Sequence, residues 1–240
     1  MGGDYLRTAG GAEQGRLVMP FYLICDVSYT MRNEITALRN GITRICEEIQ
    51  SRPLLDDVAY ICVLIFADTT KVIVPLGRMS EATVPHFSHE KLAIYGQAFR
   101  GLAKEIADDY ESLSWKGYRV YRPCAYFLTD GEPADLDWRR TFDETLSEEA
   151  MTQAGVPRGY PIFVPFGFRE AKMETLQQLA FPHGRSKWYH ARHDSFAEAL
   201  TGLLDIIMRS VMSSSNSGAV GKPAHDLPDP SKPWISAGVA

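Results

Sequence analysis

The stretch Tyr22-Leu23-Ile24-Cys25-Asp26-Val27-Ser28-Tyr29-Thr30-Met31 carries the reading on which the rest of the chain hangs. A short apolar run ends in an acid, and two hydroxyls follow at alternate positions. Apolar runs of about four to eight residues read as strands buried on both faces. The polar cluster then falls just past the strand's carboxyl end, in the crevice where open α/β sheets bind ligands. A carboxylate and two hydroxyls at i, i+2 and i+4 place hard oxygen ligands on one side of a tight loop, as Mg²⁺ requires. The competing reading is an ordinary turn with helix-capping residues. On either reading Asp26 and Ser28 are expected in a solvated loop outside the core.

A second stretch of the same design lies a hundred residues on. Phe127-Leu128-Thr129-Asp130-Gly131-Glu132-Pro133 is again an apolar strand with an acid at its carboxyl end. The elements between and around the two stretches alternate. Ile35, Leu38, Ile42, Ile45 and Ile49 recur at spacings of three and four, which predicts an amphipathic helix from Asn33 to Ser51, ended by Pro53. Val58 to Phe66 is the most apolar run and reads as a central strand. Lys71 to Leu76 follows so closely that an antiparallel edge hairpin is expected. A helix carries Phe99, Leu102, Ile106 and Tyr110 on one face. Pro161 to Phe166 and Lys187 to His190 complete six predicted strands, and Phe196, Leu200, Leu203, Ile207 and Val211 mark the final helix. Asp135 or Asp137 is placed to cap the helix after the second stretch. Such alternation implies an α/β fold.

Asp26, Ser28 and Thr30 resemble the DxSxS motif of the metal-ion-dependent adhesion site of von Willebrand factor A (VWA) domains, with threonine for the last serine. Thr129-Asp130-Gly131 resembles the family's fourth-strand motif, and the longer TDGEP form is similar to the tellurium-resistance, TerY-like branch. The resemblance spans roughly residues 17–212. It implies a three-layer doubly wound, Rossmann-like fold: a mostly parallel six-stranded sheet with one antiparallel edge strand. It also implies Mg²⁺ or Mn²⁺ held directly by Ser28 and Thr30 and through water by Asp26 and Asp130, with an open position for an Asp or Glu of a protein partner. The branch implies a stress-response or phosphosignalling setting beside kinases and phosphatases. In one place the chain departs from the pattern. Ala93, in Leu92-Ala93-Ile94-Tyr95-Gly96, stands where the family places a metal-binding threonine. Ser88 or Glu90 substitutes from the loop, or water fills the gap, or the site no longer binds metal.

Composition narrows the function classes. The chain has 240 residues, 45% hydrophobic and 23% charged, with a formal net charge of −5. No basic stripe suits a nucleic-acid backbone. No apolar run approaches the roughly 18 residues of a membrane span, and the charged first residues predict no signal peptide. Cys25, Cys46, Cys62 and Cys124 form no CxxC pair and read as buried small hydrophobes of a reducing, cytoplasmic protein. Residues 1–16 are expected to be a flexible arm, and residues 213–240, rich in Ser, Gly, Pro and Asp, a disordered tail. His86 and His89 beside Glu90 read as loop histidines rather than zinc ligands, and His190, His193 and Asp194 as a strand end and a helix cap. Glu132 faces the crevice or belongs to a helix-start turn. No P-loop, nucleophile elbow or DxD acid pair is present. The expectation is therefore a non-enzymatic interaction module, with Mg²⁺-dependent phosphoryl transfer or a metal-free scaffold as the rival readings.

Overall fold

The structure is a computed structural model that describes residues 15–156, 159–192, 195–219 and 224–239. Its centre is β1 (Leu17–Asp26), buried along nearly its whole length. Alternate residues serve opposite layers. Met19, Phe21, Leu23 and Cys25 join one apolar cluster with α1 (Ile35–Gln50) and α7 (Phe196–Ala219). Tyr22 and Ile24 join another with α3 (Tyr95–Trp115) and α4 (Trp138–Leu146). Period-two alternation with both faces apolar produces a three-layer sandwich. The helical positions read from spacing pack as expected: Leu38, Ile42, Ile45 and Ile49 on α1, and Leu200, Leu203, Ile207 and Val211 on α7, are all buried.

The sheet order is β3-β2-β1-β5-β6-β7-β8, with the two-residue β4 (Arg119–Val120) pairing the start of β1. Here β2 is Ala59–Phe66, β3 Thr70–Gly77, β5 Cys124–Thr129, β6 Ile162–Phe168, β7 Lys187–Ala191 and β8 Ile235–Val239. The short α2 (Pro53–Asp56), α5 (Glu148–Gln153) and α6 (Met173–Leu179) complete the helices among the described residues. β1 lies parallel between β2 and β5, with Asp26 beside Phe66 and Cys25 beside Leu128. The chain leaves β1 toward β2 and later returns to its other side as β5. That reversal is the topological switch point of a doubly wound sheet, and both acidic motifs end there.

Two expectations need correction. Among the described residues the sheet has eight strands, not six, and both of its edges are antiparallel: β3 against β2, as foreseen, and β8 against β7. The segment read as a disordered tail supplies the second edge. Within the described residues, α7 runs on through Ala219, and the chain returns to pair Ile235–Val239 along all of β7. Two serines of α7, Ser210 before the expected tail and Ser214 within it, bind this return. Tyr126 Oη donates to Ser210 Oγ at 2.7 Å, Ser210 Oγ donates to the Asp226 carbonyl, and Ser214 Oγ accepts the Asp226 N–H at 2.9 Å. Gly202 on α7 makes room for the crossing, since a Cβ there would come within 2.5 Å of the Trp234 ring. Of the expected N-terminal arm, residues 1–14 lie outside the described residues. Gly15 N–H bonds the Gly117 carbonyl at 2.9 Å and Arg16 pairs with Asp57 at 3.1 Å.

Candidate metal centre

The loop after β1 is pinned by its apolar residues. Val27 N–H donates to the Phe66 carbonyl at 2.9 Å, which carries the strand pairing one step beyond Asp26. Val27 and Met31 are both buried, so the 3₁₀ turn over Tyr29–Met31 is fixed from below. Alternation then leaves Ser28 and Thr30 on the crevice side. Asp26 Oδ1 accepts the Ser28 N–H at 2.8 Å, closing an Asx turn.

The four residues singled out in sequence converge. Thr30 Oγ1 donates to Asp130 Oδ1 at 2.7 Å, so it accepts from Ser28 Oγ, 3.0 Å away. Asp26 Oδ2 accepts from Thr129 Oγ1 at 2.8 Å. Beneath them the Tyr95 hydroxyl donates to the Gly131 carbonyl at 2.8 Å and lies 3.0 Å from Thr129 Oγ1. Two carboxylates and two hydroxyls at one switch point form a hard oxygen set that suits Mg²⁺ or Mn²⁺. Among the described residues no group of three or more His, Cys, Asp or Glu side chains is placed to hold a metal.

The expectation of a solvated loop fails for both residues it named, Asp26 and Ser28. Asp26 is 1% exposed and Ser28 4%, while Thr30 is open to solvent. The crevice floor is sealed because the strand pairing overruns the motif. Burial pushes the Asp26 carboxyl up to about 6, and the nearby Asp130 adds to the rise against the hydrogen bonds from Ser28 and Thr129. Since the folded value lies above the unfolded one, the native state binds more protons between them, and stability falls as pH rises through about 6. Asp26→Asn is accordingly expected to stabilise the chain in EDTA by roughly 2 kcal/mol at pH 8, a gain that shrinks toward pH 4. Urea unfolding at both pH values checks it. Equal gains at both would place the effect elsewhere than in the charge.

The loop ahead of α3 does not supply a further ligand in place of the threonine. Ala93 is partly buried against the α3-side cluster, and its carbonyl accepts the Ala134 N–H at 2.9 Å. Glu90 sits close by through its backbone, with its N–H on the Val27 carbonyl at 2.8 Å. Its carboxylate is held by Lys71 at 2.5 Å and by Thr69 at 3.2 Å. Ser88 is exposed. Glu132 resolves to the helix-start reading, accepting from Lys172 N–H at 2.9 Å and Thr175 Oγ1 at 2.8 Å. Asp135 caps the preceding helix rather than the following one, taking the N–H groups of Tyr95 and Gly96 at 2.9 and 2.8 Å. It thereby ties the Asp130 loop to α3. His86 lies 3.3 Å from Arg39, His89 packs edge-on against Tyr29, and His190 is buried in β7. His193 and Asp194 lie outside the described residues.

Sequence reasoning missed Arg169. It follows β6 with a φ of 53°, a left-handed conformation that costs a non-glycine residue about 1 kcal/mol. Its Nη1 lies 3.4 Å from both Asp130 Oδ2 and the Thr30 carbonyl, its Nη2 pairs with Glu34, and its plane covers the Phe196 ring at 4.9 Å. The available signal was positional: it is the first charge after an apolar strand beside the switch point.

The loops that carry or flank the motifs hold large apolar side chains that face solvent. Tyr29, Leu92 and Leu136 are 56%, 57% and 101% exposed and come from the loops after β1, before α3 and after β5.

No protein-family model and no curated protein matches the sequence. Solved structures do match. A von Willebrand factor type A protein from Catenulispora acidiphila aligns at 16% identity and a TM-score of 0.54, over 82% of this chain and 43% of that one. The chain has the VWA fold. The pilus adhesin SpaC of Lactobacillus rhamnosus GG, in an open conformation, aligns at 14% identity and TM-score 0.60, over 83% of this chain and 30% of that one. The proximal thread matrix protein 1 of the mussel byssus, with a zinc-occupied MIDAS motif, aligns at 11% identity and TM-score 0.53, over 84% and 49%. The chain thus spans less than half the length of each of these proteins, and at such identities the likeness is one of fold. Proteins of this fold include a pilus adhesin and a byssus matrix protein, and the latter carries zinc at its own MIDAS motif.

Proposed function

We propose that the chain is a non-enzymatic protein-interaction module that grips an acidic side chain of a protein partner through Mg²⁺ or Mn²⁺. Ser28 and Thr30 would ligate the cation directly, and Asp26 and Asp130 through water. The observation that carries this reading is the convergence of two carboxylates and two hydroxyls on one crevice, with exposed apolar residues on the loops after β1, before α3 and after β5. A bound divalent cation supplies the charge that draws an outside carboxylate. Tyr29, Leu92 and Leu136 bury apolar surface of the same partner and exclude water from the contact. Asp26, held by Ser28 and Thr129, keeps the floor of the site in place before metal arrives.

The adhesin and matrix proteins of like fold support an interaction role. The TDGEP form, with the four buried thiols, supports a cytoplasmic, TerY-like place in stress response or phosphosignalling, alongside kinases or phosphatases. Calorimetric titration with Mn²⁺ tests the metal half of the reading. Ser28→Ala is expected to weaken Mn²⁺ at least tenfold while changing stability by no more than about 1 kcal/mol. Capture of partners with Mg²⁺, lost in EDTA and lost in Ser28→Ala, tests the other half. Heat from neither protein would leave the crevice a hydrogen-bonded scaffold and defeat the metal bridge.

A further inference from the structure

At the other pole of the sheet lies an open cavity of about 650 Å³. It lies where the amino ends of β1, β5 and β6 meet the second half of α3, some six residues along β1 from Asp26, or roughly 20 Å. That volume is within the range of small-molecule sites. The walls are apolar and aromatic over much of their area, and the polar groups among them are unusual in what they lack.

Arg122 and Arg185 both line the cavity, and among the described residues neither guanidinium has a carboxylate partner. Arg122 instead has its guanidinium carbon over the Tyr160 ring, 4.0 Å from the centroid. His225 also lines the space. Its Nε2 lies 2.6 Å from the Arg122 carbonyl, which can only accept, so Nε2 carries the proton and donates. Burial pushes the imidazole down to about 4, so it stays neutral. Nδ1 is then a lone-pair acceptor, and it is buried with no partner. Such acceptors are rarely left unmet in folded proteins. Asp109 stands on the α3 wall, accepting from the Tyr22 hydroxyl at 3.0 Å with one carboxylate oxygen and leaving the other free of any side-chain donor. Asp109 pairs with neither arginine. The cavity therefore combines two guanidiniums with an acid that pairs with neither, and the Tyr22, Tyr110 and Tyr121 rings are among its walls.

Those features select a ligand class. Two uncompensated guanidiniums match a dianionic phosphomonoester better than a single carboxylate, because each fork takes two oxygens. The Asp109 carboxylate asks for N–H or O–H donors on the rest of the ligand. The aromatic walls favour a flat ring. We propose that this cavity binds a nucleoside monophosphate, with the phosphate taken by Arg122 and Arg185 and the base or ribose donating to Asp109.

The test is calorimetry on the full chain with AMP, GMP, CMP and UMP, in EDTA so that the metal centre plays no part. Adenosine, ribose 5-phosphate and inorganic phosphate serve as partial probes. At least one nucleotide is expected to bind saturably at one per chain with sub-millimolar affinity, and the partial probes at least tenfold more weakly. Arg122→Gln and Arg185→Gln should each reduce affinity tenfold or more, while Arg140→Gln on the exposed face of α4 should leave it unchanged. Arg185 is exposed, so its substitution leaves the fold intact even if that at Arg122 does not. Absence of saturable binding by all four nucleotides at millimolar concentration would overturn the proposal. So would affinity that ignores the Arg185 substitution, or ribose 5-phosphate binding as tightly as every nucleotide.

Discussion

A chain shortened to remove residues 224–240 is expected to melt roughly 10 °C below the full protein, a loss on the order of 4 kcal/mol. Composition alone would predict no effect, since the segment has few apolar residues and reads as unable to offset its own ordering. The contacts say otherwise. Ile235 is 5% exposed inside the main core, and Trp234 packs on the same cluster over Gly202. Each such side chain contributes about 1.5–3 kcal/mol by burial. Lys187 Nζ donates to the Leu227 carbonyl and Tyr189 Oη to the Pro228 carbonyl, at 2.7 and 2.8 Å, so two β7 side chains lose their acceptors as well. Truncation would also expose the outer edge of β7, an unpaired row of backbone groups that invites association. Thermal melting with light scattering reads both effects. A truncated chain that melts with the full one and stays monomeric would restore the reading of the segment as a loose tail.

That segment shows where sequence ceased to inform. The inner strands were legible because burial on both faces demands apolar residues at every position, and Val63, Leu64, Ile65 and Phe66 leave little else to infer. Helices α1, α3 and α7 were legible because only one stripe needs to be apolar, and the stripe has its own period. β8 obeys neither rule. Its sequence, Ile-Ser-Ala-Gly-Val, buries one residue fully, and its place is set by backbone pairing to β7, which leaves no mark on side-chain chemistry. A strand of that kind is visible only once its neighbour is in position.

The metal centre was legible for a related reason, and partly misjudged for another. Acids at the carboxyl ends of apolar runs can be located by eye, and the sheet order then brings Asp26 and Asp130 together. The burial of Asp26 and Ser28 could not be read so directly. It depends on Val27 continuing the pairing with β2 past the end of the motif and on Met31 entering the core, two apolar residues that sequence alone assigns to a loop. The capping role of Asp135 was inverted because its partners lie some forty residues earlier, on α3. Local patterns find local partners.

Substituting Arg169 is expected to raise affinity for Mn²⁺ on the order of tenfold, about 1.4 kcal/mol. Its guanidinium sits 3.4 Å from Asp130 Oδ2 and from the Thr30 carbonyl, so the chain already presents a positive charge to the oxygens that would serve a cation. Bringing a second positive charge to Asp130 costs repulsion, and the cost is moderate because the Arg169 side chain is 37% exposed and partly screened. Three variants separate the causes. Arg169→Ala removes the charge and keeps a Cβ at a φ of 53°, whereas Arg169→Gly removes the charge and the strain together. Both should tighten Mn²⁺ equally, while the glycine form should be the more stable by about 1 kcal/mol. Arg169→Lys keeps a charge near Asp130 and should show little gain. Titration calorimetry at low and at high salt reads the charge component, since the gain should shrink as salt screens it. If all three variants bound Mn²⁺ like the parent chain, Arg169 would be a structural clamp between Asp130, Glu34 and Phe196 and no rival to the metal. If the alanine and glycine forms bound it more weakly, the guanidinium would be orienting Asp130 for the cation, and the repulsion argument would be wrong in sign.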